Sequence, residues 1–82
     1  FMKRKVFIMK LKLEGQVLKV IQREKKKTDI AVILTGIDVV RLIFRKEDNQ
    51  IMEAEGTGEI ICVPVEINIY NNKTYFMKVY ES

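Results

Sequence analysis

Apolar and polar side chains alternate along most of this chain with a period of two, and this alternation constrains the fold more than any other feature. The longest such run covers residues 6–23, where Gly15 interrupts the pattern and the apolar positions resume with a shifted phase. An isolated glycine inside a strand pattern is typical of a bulge or a sharp bend. We therefore predict one long, bent first strand that serves two sides of a small barrel.

Four more strands follow in the pattern. Residues 30–35 and 39–46 are predicted as strands two and three around a tight turn at 36–38, and residues 60–70 and 74–81 as strands four and five around an Asn-containing turn at 71–73. Between them, Asp48 or Asn49 is positioned to cap a short helical turn that Gly56 would end. Pro64 cannot donate a ladder hydrogen bond, so it predicts a sheet edge or a bulge in strand four.

This pattern predicts an all-β fold. Five strands in 82 residues must hide their edges, and closing into a barrel achieves this, so we expect a single domain over residues 1–82. Parity divides strand three into an apolar face, with Val40, Leu42 and Phe44, and a face with Arg41 and Arg45. By the same parity Tyr75 is predicted to lie in the core, with Met77 as a packing residue.

The composition excludes most catalytic chemistry. The chain has no His, one Cys (Cys62) and one Ser (Ser82), so neither a Ser-His nor a Cys-His pair can form, and a zinc site lacks its usual ligands. Carboxylates show no metal-ligand spacing. We expect no enzyme activity, no small-molecule substrate and no cofactor. A lone cysteine predicts a buried packing residue and fits the reducing cytoplasm.

Charge is distributed unevenly along the chain. Residues 1–46 carry 13 Lys and Arg against 4 Asp and Glu, whereas residues 47–82 carry 2 against 7. This asymmetry predicts a basic face and an acidic face, and a basic face attracts nucleic acid or anionic membrane. No amphipathic helix supports membrane binding. A solvated surface rich in Lys and Glu would have the same composition.

Three segments resemble the OB-fold family, in particular compact single-stranded DNA-binding domains. They are LEGQVLKV at 13–20, the strand at 39–45, and GEIICVPVEINIYNNKTYFMKV at 58–79. The resemblance implies a five-stranded OB-like Greek-key barrel with a short helix or turn between strands three and four. It also implies non-catalytic binding of single-stranded DNA, or of RNA, with little sequence preference. The Trp residues that many such proteins use for stacking are absent.

The resemblance also implies a set of binding residues, because OB-fold ligands lie across strands two and three between two loops. Cations would neutralise phosphates and aromatic faces would stack on bases. Phe76 and Tyr80 could instead cap the barrel end or fill a dimer interface, and the triple lysine could be a solvated loop tip. The implied nucleic-acid-binding residues are Lys25, Lys26, Lys27, Arg41, Arg45, Lys73, Phe76, Lys78 and Tyr80.

A second class of function stays open at this point. The chain could be a protein-protein interaction or assembly domain, built on a small β-barrel or β-sandwich, in which Ile60, Phe76 and Tyr80 form an apolar interface. Under the nucleic-acid hypothesis one copy offers few contacts, so a homodimer or a cooperative array would raise the affinity.

Overall fold

The computed structural model describes residues 9–80, which form five strands and one short helix. The elements are β1 (Met9–Ile21), β2 (Thr28–Thr35), β3 (Asp38–Arg45), α1 (Asn49–Ala54), β4 (Ile60–Tyr70) and β5 (Lys73–Lys78). Positions 6–8 and 81 of the predicted first and last strands lie outside the described residues. In the part of the chain that is described, no helix has the length and apolarity needed to cross a membrane.

The strands form one sheet that closes in a ring, in the order β1-β2-β3-β5-β4 with β4 paired back to β1. Neighbours are antiparallel except β3 and β5, which run parallel and share only the pairs Leu42–Phe76 and Ile43–Met77. The predicted β-rich fold with one short helix is confirmed at this level. We call the short β3–β5 junction the seam, because the ring closes there with the fewest ladder pairs.

β1 serves two neighbours, as predicted. Its first part, from Met9 to Gln16, pairs with β4, and its second part, from Gln16 to Ile21, pairs with β2. The register shift lies between Val17 and Lys19, so the bulge comes after Gly15 rather than at it. Gly15 has a different purpose, because a Cβ there would lie 2.7 Å from Cγ2 of Ile33 and closer still to the carbonyl oxygen of Leu34. The glycine thus allows β1 and β2 to approach each other.

The local signals for turns and the helix are confirmed. Asn71 and Asn72 have φ angles of 52° and 63°, as a two-residue hairpin turn with positive φ at both positions requires. Lys73, predicted as part of this turn, already belongs to β5. Asp48 is the N-cap of α1, and its side chain accepts a hydrogen bond from the backbone N–H of Ile51.

The core fills the interior of the ring, and α1 closes one side of it with Ile51 and Ala54. Phe76 packs against this core, whereas Tyr75 is 36% exposed, so the predicted burial of Tyr75 is wrong. Cross-strand partners share a face, and Phe76 is paired with the buried Leu42. The core residues are Val17, Ala31, Ile33, Leu42, Phe44, Ile51, Ala54, Ile61, Val63 and Val65.

Two predictions for β4 need correction. Cys62 is exposed opposite Glu14 on the outside of the ring, not buried. Pro64 pairs with Lys12 without a bulge, and its carbonyl oxygen accepts a hydrogen bond from the N–H of Val79. Since the N–H and C=O of a strand residue point the same way, the missing N–H of Pro64 faces the end of β5, beyond the last β4–β5 pair. Val79 donates to Pro64 but receives no hydrogen bond in return, so the proline removes one bond at the point where the β4–β5 ladder ends.

Candidate nucleic-acid interface

The outer face of β1, β2 and β3 is set by their register. Ala31 and Ile33 of β2 are buried, so the alternate residues of β2 point outward, together with their partners on β1 and β3. Lys19, Val32 and Arg41 form one row across the three strands, and Ile21, Ile30 and Ile43 form the next. The outer face, as we use the term, consists of Gln16, Lys19, Ile21, Thr28, Ile30, Val32, Leu34, Val39, Arg41, Ile43 and Arg45.

Four basic residues are occupied by contacts within the protein. Their partners are Thr28, Asp29, Asp48 and the ring of Tyr80. The contacts are Arg23 Nη2 to Thr28 Oγ1 at 2.7 Å, Lys46 Nζ to Asp29 Oδ1 at 2.6 Å, Lys78 Nζ to Asp48 Oδ2 at 2.6 Å, and the Arg45 guanidinium 4.3 Å from the ring centre of Tyr80. These cations hold the fold together and are less available to a ligand.

The remaining basic side chains near the outer face are exposed. Lys19 and Arg41 lie on the strands, and three consecutive lysines occupy the loop between β1 and β2. With the groups that the structure describes, the side chains of these five residues make neither ion pairs nor hydrogen bonds. A polyanion can bind these cations without breaking a described contact that stabilises the fold. They are Lys19, Arg41, Lys25, Lys26 and Lys27.

Asp29 fixes the loop that carries the three lysines. Its side chain is buried and accepts hydrogen bonds from the backbone N–H of Arg23 at 2.9 Å and from Lys46 Nζ. Burial alone would raise the pKa of Asp29, but these hydrogen bonds and the charges of Lys46 and Arg23 outweigh it and lower the pKa below its ordinary value. The carboxylate thus stays ionised and holds the loop against the end of β3.

An open depression lies between this loop and the end of β3. Four of its lining residues are basic and two are acidic, so the lining residues together carry a net positive charge. The ion pair between Lys46 and Asp29 reduces this charge. Arg45, a predicted binding residue, lies at its wall. The lining residues are Lys26, Lys27, Arg45, Lys46, Thr28, Glu24 and Glu47.

Three other predicted binding residues belong to the seam. Phe76 packs on the core, Lys78 pairs with Asp48, and the Tyr80 hydroxyl donates to Asp48 at 2.6 Å while accepting the backbone N–H of Arg45 at 3.1 Å. Desolvation and the hydrogen bond to Asp48 raise the pKa of Tyr80. The Arg45 guanidinium lies over the Tyr80 ring, so this aromatic face is already occupied. The structure separates these three residues from Lys73, which is exposed beside the hairpin turn.

No family model, curated protein or solved structure matches this chain. We therefore infer the function of the protein from the geometry of its outer face.

The outward orientation of two residues, Lys19 on β1 and Tyr75 on β5, was not predicted from the sequence. Lys19 lies just after the bulge, so its direction depends on a register shift that the alternation alone does not locate. Tyr75 lies on the outside because Phe76 takes the inward position of β5. The sequence predicted the opposite orientation, with Tyr75 in the core by parity and with Phe76 and Lys78 among the binding residues.

Proposed function

We propose that the closed ring is an OB-like Greek-key barrel and that it binds single-stranded nucleic acid, DNA or RNA, with little sequence preference. The ligand lies on the outer face and against the β1–β2 loop. The strand order, with α1 between β3 and β4, supports the barrel assignment. No catalytic step or cofactor is needed for this function. The cytoplasmic location stays a prediction.

One observation carries the proposal: the outer face, as defined by its eleven described residues, has three cations, of which Arg45 lies over Tyr80 and the other two are unpaired among the described groups, and no carboxylate. The outside of the β1–β4 pair differs, since there Lys12 lies beside Glu14 and Glu66 is on the neighbouring strand. A cationic surface without carboxylates attracts polyanions by long-range electrostatics. The outer face thus carries three of the cations of residues 1–46 and none of their carboxylates.

The aliphatic side chains between these cations favour a single strand over a duplex. Ile30, Val32 and Ile43 are half-buried on the outer face, where Arg41 and Arg45 of β3 are the nearest cations. A duplex presents mainly phosphates and sugars at its surface, whereas a single strand can turn its unstacked bases toward apolar groups. The cations would then contact phosphates, and these aliphatic side chains would contact bases. A homodimer or a cooperative array would raise the affinity of so small a site.

The test compares two exposed strand cations on different faces. We expect Arg41→Glu to weaken binding of a labelled oligo-dT roughly tenfold and the matched Lys12→Glu to change it less than about twofold, because only Arg41 would touch the ligand. Fluorescence anisotropy titrations between about 50 and 200 mM salt measure both, with single-stranded RNA and duplex DNA beside them. No binding by the unmodified protein at low salt, or equal losses in both variants, would refute the proposal.

A specific observation supports the alternative, a protein-protein interaction domain. Ile37, Val39 and Ile60 are 95%, 57% and 62% exposed at one end of the sheet, and the register joins Ile60 to Val39 through Gln16 and Leu34. Phe76 and Tyr80, predicted for this interface, lie in the seam instead. If this function holds, light scattering will show an oligomer that Val39→Lys dissociates, while oligo-dT fails to bind.

A further inference from the structure

The two strands of the seam separate at a defined point. The parallel β3–β5 ladder contains the pairs Leu42–Phe76 and Ile43–Met77, and one residue before the first pair come Arg41 on β3 and Tyr75 on β5. From there β3 continues beside β2, and β5 continues beside β4. We call this divergence the fork. Because Leu42 and Phe76 point inward, Arg41 and Tyr75 both point outward, on the two sides of the fork.

The fork extends the cationic row across the ring. Lys19 pairs with Val32 and Val32 with Arg41, and Tyr75, the next outward residue, pairs with Asn68 of β4. Paired strands are about 4.8 Å apart and β3 and β5 diverge at the fork, so the row from Lys19 to Tyr75 covers at least about 14 Å. A nucleic-acid strand that follows this row crosses the β-strands and passes from two cations to one aromatic ring.

Tyr75 has the exposure that a stacking platform needs, and Tyr80 does not. Tyr75 is 36% exposed, and among the side chains and backbone groups that the structure describes its side chain has no hydrogen-bond partner. The Tyr80 ring, by contrast, is covered by the Arg45 guanidinium, and its hydroxyl is bonded to Asp48. Beside Tyr75 on the same face, Met77 is held by a contact of 3.3 Å between its sulfur and Nδ2 of Asn68.

We propose that Tyr75 stacks on one unpaired base at the fork while Arg41 contacts an adjoining phosphate. This inference rests on the proposed function and adds the base contact to it. A phenol ring stacks on any base, because every base has a π-face, so the contact adds affinity without sequence preference. Arg41 is suited to the neighbouring position, since its guanidinium binds phosphate oxygens with two N–H groups.

The experiment separates base contact from phosphate contact. We expect Tyr75→Leu, which keeps apolar bulk and loses the π-face, to weaken oligo-dT binding about tenfold, and Tyr75→Phe to bind within about twofold of the unmodified protein. On an abasic backbone of the same length, Tyr75→Leu and the unmodified protein bind equally. Arg41→Glu weakens binding to both oligomers, because it removes a phosphate contact.

A second readout does not depend on the stability of the leucine variant. The chain contains no Trp, so the Tyr75→Trp variant has a single indole whose emission reports this position alone. We expect oligo-dT to quench that emission and the abasic backbone to leave it unchanged. If the unmodified protein binds oligo-dT but Tyr75→Leu binds equally well, or if the indole is not quenched, the stacking proposal is wrong and the proposed function stands. If the unmodified protein binds no oligonucleotide, both fail.

Discussion

Gly15→Ala is expected to lower the free energy of unfolding by about 3 kcal/mol, at the upper end of the range for overpacking. The added Cβ would lie too close to the carbonyl oxygen of Leu34 and 2.7 Å from Cγ2 of Ile33. The nearest atom belongs to the backbone, so no side-chain rotation relieves the clash, and β1 and β2 must move apart. Urea denaturation followed by far-UV circular dichroism measures this loss as a lower midpoint.

Gly36 provides the matched control for this substitution. It lies in the β2–β3 turn with a φ of 65°, and a Cβ there meets no atom within 4 Å. Asn is one of the side chains that best tolerate this left-handed conformation, so Gly36→Asn should lower the free energy of unfolding by no more than about 1 kcal/mol. A Gly15→Ala variant as stable as Gly36→Asn would mean that β1 and β2 do not approach each other as closely as described.

Features that depend on neighbouring residues were predicted from the sequence. The number and order of the strands follow from alternation with a period of two, and the turn at Asn71 and Asn72 follows from the tolerance of Asn for positive φ. The cap of α1 follows from an Asp placed three residues before Ile51. The sequence also predicted the faces of β3, because Leu42 and Phe44 alternate with arginines. Each of these signals lies within a few residues of its effect.

Features that depend on distant partners were not predicted. Lys78 was predicted as a nucleic-acid-binding residue, yet its side chain is largely buried because Asp48, thirty residues earlier, pairs with it. That pairing places Phe76 inside and Tyr75 outside, the reverse of the prediction from parity. Asp29 is buried and bonded to the backbone N–H of Arg23 and to Lys46, although nothing in the sequence around it predicts this burial. Neither pairing leaves a pattern in the local sequence.

The second large effect is expected at Asp48, where Asp48→Ala should lower the free energy of unfolding by about 3 kcal/mol. Asp48 accepts hydrogen bonds from Lys78 Nζ and from the Tyr80 hydroxyl, each at 2.6 Å, and the alanine leaves the largely buried ammonium of Lys78 unpaired. The β3–β5 ladder has only two pairs, so this network also closes the ring. Urea denaturation measures the stability, and amide hydrogen exchange at Phe76 and Met77 should accelerate most.

Asp48→Asn separates the charge of this side chain from its shape. Asn is as good an N-cap as Asp when its carbonyl oxygen takes the place of Oδ1, but its NH2 group then replaces Oδ2 and can neither neutralise Lys78 nor accept the Tyr80 hydroxyl. We therefore expect the free energy of unfolding of Asp48→Asn to lie between that of the unmodified protein and that of Asp48→Ala. If Asp48→Asn is as unstable as Asp48→Ala, the contacts of Oδ2 with Lys78 and Tyr80 account for the whole effect and the helix cap for none of it. If Asp48→Ala is as stable as the unmodified protein, the seam does not depend on Asp48.

The same charge makes the seam sensitive to acid. Burial alone would raise the pKa of Asp48, but the hydrogen bonds from Lys78 and Tyr80 outweigh it, so its pKa in the folded protein lies below its ordinary value. A carboxyl group with a lowered pKa stabilises the fold above the unfolded value of about 3.9, and this stabilisation is lost as the pH falls through the folded value. The unmodified protein should therefore lose stability below about pH 4, and Asp48→Asn should lose less over the same interval, with Asp29 responsible for part of what remains. Equal acid sensitivity in the two proteins would show that the ionised form of Asp48 does not stabilise the seam.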